Sequence, residues 1–192
     1  MNLSSDWQTA FTQAIRQNEV AYALKEAALN QRLGNWTVAL TDVCVVSCRK
    51  LGWQVSAKGH ELDLLPEARS EYLTLDVAAF APSRSRWRFT VAVMELENSR
   101  RNDLIAYSLW KVLCVRASLR VVFCYRAAPD QAAHLIRFLQ EDVVLSQAID
   151  TRLSWDGETL VVVGGRSAAE TFPYGFFKWW RLEKNTGVFE TL

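Results

Sequence analysis

The chain has 192 residues, enough for one domain with a substantial core and short for two. Half of the residues are hydrophobic and 22% are charged, which excludes a disordered or fibrous chain, and the 22 basic and 21 acidic residues leave a net charge of +1, so any binding of phosphate has to be local. No apolar run reaches the ~18 residues that span a bilayer, and no basic region followed by an apolar run opens the chain, so a cytoplasmic protein with no membrane contact is expected.

In chain order, Ser4, Ser5 and Asp6 offer a cap. Trp7, Phe11, Ile15, Val20, Ala23 and Leu24 then recur at helical spacing, predicting helix over residues 5–32 with a break near Gln17-Asn18. Gly34 ends this segment. A second helix from Thr37 to Leu51 is apolar on nearly every side, is stopped by Gly52 and is expected to be buried. Trp53 to Ala57 reads as a strand, Lys58 to Glu61 as a turn and residues 62–70 as an irregular connection. Two strands, Leu73 to Phe80 and Phe89 to Ser99, flank the polar Ala-Pro-Ser-Arg-Ser-Arg loop. Beyond them come a helix over Asp103 to Ala117, a strongly apolar strand over Leu119 to Tyr125, a helix from Pro129 to Val144 and a last strand from Leu160 to Gly164, with Gly164-Gly165 as a turn.

This order predicts a single α/β domain with a mixed central sheet flanked by helices. Residues 1–35 form an N-terminal helical extension, 36–165 the core and 166–192 an aromatic C-terminal segment. Six aromatics among residues 171–181, interleaved with Lys178 and Arg181, suit core packing or a homodimer interface, and also base stacking. Cys44, Cys48, Cys114 and Cys124 contain no Cys-x-x-Cys pair and are expected as reduced core thiols. His60 and His134 form no metal or hydrolase motif, and neither a Gly-x-Ser-x-Gly elbow nor a phosphate-binding P-loop occurs.

The chemistry is concentrated in the hairpin, where Asp76, Glu95 and Glu97 interrupt apolar strands. Buried carboxylates need a cation, a basic partner or a rim position. Alternation puts Glu95 and Glu97 on one face, and a hairpin centred between Ser85 and Arg86 sets Asp76 across from Glu95. Facing carboxylates can share one hard divalent cation. The same acids have a plainer reading as surface groups paired with Arg88, Arg100 or Arg101. Arg100, Arg101 and Asn102 precede a helix N-terminus, where anions are favoured, and Tyr107 and Lys111 lie four apart on that helix.

An Asp on one strand, a hairpin, a Glu-x-Glu on the next, then a helix and a strand resembles the PD-(D/E)XK, or restriction-endonuclease-like, nuclease superfamily over roughly residues 53–125. The resemblance implies a restriction-endonuclease-like fold and a Mg²⁺- or Mn²⁺-dependent hydrolysis of DNA phosphodiester bonds. Asp76 and Glu95 would be metal ligands, with the Leu96 carbonyl a further candidate. Glu97 holds the position usually taken by Lys and would orient or deprotonate water, while Lys111 on the neighbouring helix is nominated to replace the missing strand Lys. Arg100 and Arg101 would bind phosphate. An additional acid carried in this family by the preceding helix would be Asp42, Glu19 or Glu26. The alternative is an inactive nuclease-like scaffold that serves as a binding or assembly module.

Overall fold

The computed structural model describes residues 3–192 other than Ala68 and Ser70, so those two positions of the expected 62–70 connection lie outside the described residues. The chain opens with α1 (Leu3–Ile15), α2 (Asn18–Leu29) and α3 (Leu33–Lys50). The break between α1 and α2 falls at Gln17, whose backbone is extended. Trp7, Phe11 and Ala14 recur on one stripe of α1, and Trp36, Leu40, Val43, Cys44 and Cys48 on one stripe of α3; these stripes are buried. Val38 and Val46 of α3 face solvent, so the expected all-round burial of this helix is corrected to a one-sided one.

Seven strands follow: β1 (Gln54–Ala57), β2 (Val77–Phe80), β3 (Thr90–Leu96), β4 (Leu119–Arg126), β5 (Glu158–Gly165), β6 (Phe177–Glu183) and β7 (Val188–Thr191). They stand in the sheet in chain order. The β1–β2–β3 meander is antiparallel, β3, β4 and β5 are parallel, and β6 and β7 return antiparallel. The parallel strands require crossovers, supplied by α4 (Asn102–Leu113) between β3 and β4, and by α5 (Pro129–Leu139) with the short α6 (Ile149–Leu153) between β4 and β5. One face of the sheet packs on α1 to α3 through Met94, Leu96, Phe123, Val162 and Trp179. The other packs on α4 and α5 through Val93, Val122, Cys124, Val161 and Trp180. The chain is therefore a three-layer mixed α/β structure, as composition and order predicted. Among the described residues no helix is long and apolar enough to cross a membrane.

Several boundaries differ from expectation for local reasons. The strand expected from Leu73 starts at Val77, because Tyr72–Thr74 form a 3-10 turn with Leu73 and Thr74 at φ 57° and 56°. The expected last strand is followed by two more. Trp179 enters one core and Trp180 the other, so β6 is buried on both faces and shows no two-residue period. The same burial accounts for most of the aromatic segment: Phe172, Phe176, Trp179 and Trp180 are interior, and Trp179 stacks edge-on against Trp7 and Phe11. Of this segment's aromatics, Tyr174 is the most exposed. Cys44, Cys48 and Cys124 are buried thiols as expected, whereas Cys114 is exposed.

Candidate active site at the carboxyl end of the acidic hairpin

Register sets up the site. Val77 pairs with Met94 and Ala78 with Val93, so Asp76, one step before β2, falls opposite Glu95. A register shift between Ala79 and Phe80 lies toward the hairpin tip and leaves the acid end regular. Asp76 is half-buried, and its Oδ2 accepts the Leu96 N–H at 2.7 Å, which fixes the carboxylate against β3. Glu95 is 6% exposed, in the layer that β3 shares with α4.

Lys111 comes from the last turn of α4. Its Nζ lies 2.7 Å from Glu95 Oε1 and donates to the Thr74 carbonyl at 2.9 Å. One ammonium thus ties the helix to the buried acid and to the turn that precedes Asp76. That turn is strained: a bulky residue and a β-branched residue both at positive φ are outliers, and outliers of this kind concentrate at functional sites. Burial pushes the Glu95 carboxyl up to about 7; Lys111 opposes the shift and the nearby Asp76 charge adds to it. Glu95 therefore sits close to the balance between its two protonation states at neutral pH.

The other expected site residues are placed differently. Glu97 is partly buried and its Oε1 accepts the Ser99 N–H at 2.6 Å, while Ser99 Oγ accepts the Arg101 N–H at 3.1 Å. Glu97 is drawn into the turn after β3. Among the described residues no group of three or more His, Cys, Asp or Glu side chains is arranged to hold a metal; Asp76 and Glu95, the two expected ligands, face each other as a pair. Arg101 is ion-paired with Asp103 on the surface, which holds the Asp103 carboxyl below the usual range. Arg100 is exposed and lines a separate cavity with Asn102. Tyr107 is exposed and stacks on Trp110 instead of facing the acids. Arg84, Arg86 and Arg88 stand at the far end of β3, about 20 Å away at ~3.3 Å per residue. Asp42 is taken by His60 Nε2 at 2.6 Å, and Glu19 and Glu26 are exposed on α2.

Sequence reasoning missed the cavity itself. It holds about 400 Å³ and is walled by Arg100, Arg126 and Arg166 with Tyr125 and His134. A signal was present, since Arg126 ends a parallel strand and Arg166 directly follows the next one. No known family model matches the chain, and no curated protein is significantly similar to it.

Proposed function

We propose that the chain is a Mg²⁺- or Mn²⁺-dependent nuclease of the PD-(D/E)XK type, hydrolysing DNA phosphodiester bonds. The observation that carries the reading is Lys111 Nζ at 2.7 Å from Glu95, with Asp76 facing Glu95 across the hairpin: two acids and a lysine meet although the lysine comes from a helix. The order α3, β1, β2, β3, α4, β4 supports a restriction-endonuclease-like core within the larger sheet.

The donor set fits a hard cation. Mg²⁺ needs only one or two carboxylates and keeps its remaining positions for water and substrate phosphate. Asp76 and Glu95 would hold it, with the Leu96 carbonyl as a further oxygen. Glu95, buried with a carboxyl that titrates near neutrality, gains most from a second cation beside it. When bound, the ion would neutralise phosphate charge and acidify a water. The chain's own groups do the rest. The Leu96 N–H orients Asp76, Lys111 holds Glu95 and offers an ammonium for charge developing on phosphate, and Glu97 keeps its second oxygen for orienting water.

Incubating plasmid DNA with the full chain and Mn²⁺ or Mg²⁺ tests this, beside Asp76→Ala and Glu95→Ala checked for folding by circular dichroism. Cleavage lost at least about a hundredfold in each variant is expected. Folded wild-type protein that neither takes up Mn²⁺ in calorimetry nor cuts DNA would sink the reading. It would favour the inactive scaffold, in which Lys111 neutralises Glu95 and the pair is structural.

A further inference from the structure

The strands β3, β4 and β5 run parallel, and their carboxyl ends open on one place in the molecule. The cavity of about 400 Å³ lies there, within the roughly 300–1,000 Å³ usual for small-ligand sites. Each parallel strand delivers one arginine to it: Arg100 from the turn after β3, Arg126 from the end of β4 and Arg166 from the residue after β5. Asn102 at the start of α4 and Gln131 in the first turn of α5 add polar groups beside two helix N-termini.

None of the three guanidinium groups has a described carboxylate within 4.0 Å. Arg126 donates to Asn102 Oδ1 and to the Tyr125 carbonyl, which aims the group without neutralising it. Arg166 lies over the Tyr125 ring, 5.9 Å from its centre. Burial, and then the like charge of Arg100, draw the Arg166 pKa down; burial also lowers that of Arg126. The ring has its place because position 164 is glycine: a Cβ there would stand 2.6 Å from Tyr125 and 2.8 Å from Phe176. Positive charge is thus gathered in a concave site and left without a counter-charge, an arrangement that costs stability unless an anion occupies it.

We propose that this pocket binds a terminal phosphate, a phosphomonoester carried by a nucleotide or by the end of a nucleic-acid strand. Guanidinium forks pair bidentately with phosphate oxygens, and three of them suit a monoester, which carries close to two negative charges at neutral pH, better than a backbone diester with one. Binding here requires neither cleavage nor a metal ion.

The test is fluorescence anisotropy in EDTA, with the full chain and 3′-fluorescein-labelled single-stranded DNA bearing either a 5′-phosphate or a 5′-hydroxyl. The phosphorylated strand is expected to bind about tenfold tighter or more, and Arg126→Gln and Arg166→Gln are each expected to remove that preference. Competition by a nucleoside 5′-monophosphate as strong as by the strand assigns the site to free nucleotides. Competition by the strand alone assigns it to chain ends. Equal affinity for the two strands in wild-type protein, or a preference that survives both substitutions, overturns the proposal. Asp76→Ala keeps the preference if the proposal holds, so failure of the phosphate pocket is read separately from failure of the metal site.

Discussion

Two charges are buried at opposite ends of the parallel strands, and the molecule treats them in opposite ways. Arg120, 2% exposed near the start of β4, donates Nε to the Val112 and Val115 carbonyls at 2.9 and 3.1 Å, Nη2 to Val115 at 2.9 Å, and Nη1 to the Asp156 carbonyl. Carbonyls left over at the carboxyl end of α4 satisfy it, and it in turn caps that helix. Glu95, 6% exposed near the end of β3, has one ammonium for a partner and a second carboxylate across from it. Arg120 is closed to further chemistry; Glu95 is left able to gain a proton, or a second cation, at neutral pH. Burial alone does not separate a structural charge from a reactive one, but the count of satisfied partners does.

Breaking the closed end should have the largest effect. Arg120→Met would leave the Val115 and Asp156 carbonyls without their side-chain donor and strip the Val112 carbonyl of one of its donors, lowering stability by about 3 kcal/mol or more in urea unfolding; a variant as stable as wild type would erase the contrast. At the open end the change follows pH. The folded-state carboxyl of Glu95, at about 7, lies above its ordinary 4.5, so its contribution is fully present below pH 4.5 and is lost as pH climbs through 7. This is of the order of 1 kcal/mol, or about 2–4 °C in Tm. Glu95→Gln, which does not titrate, should gain on wild type by that amount between pH 5 and 8 on the order of a few degrees at most; parallel Tm curves would refute it.

Lys111→Met sharpens the same contrast. Without the ammonium, Glu95 should titrate higher still, followed through the carbon-13 shift of its carboxyl; an unmoved or lowered midpoint would show that Lys111 does not hold the acid. The smallest effect belongs to Arg101→Ala. Its exposed pair with Asp103 is screened by water, and no change in the unfolding midpoint is expected.

The layers and the hairpin register were legible in the sequence because period-2 alternation and a polar loop specify a two-stranded antiparallel pair closely. Asp76 across from Glu95 followed from that alone. Lys111 could be nominated only by resemblance, since its contact with Glu95 depends on how α4 lies across β3, which helix periodicity does not encode. Glu97 lies one residue beyond the strand end at Leu96, and the following turn takes one of its carboxylate oxygens, which strand alternation does not foretell. The β6 strand was hidden by burial on both faces. The three arginines of the cavity are 26 and 40 residues apart along the chain, and only the parallel register of β3, β4 and β5 brings them together.

At the far end of β5, the Glu158 carboxylate accepts the N–H groups of Leu3 and Ser4 at 3.2 and 3.0 Å, anchoring the start of α1 to the edge where the parallel strands begin. The eight residues of β5 then separate that edge from the arginine cavity by about 25 Å. A tether joined ahead of Leu3 would hold the molecule by its base, with the acid pair and the cavity turned to the solution.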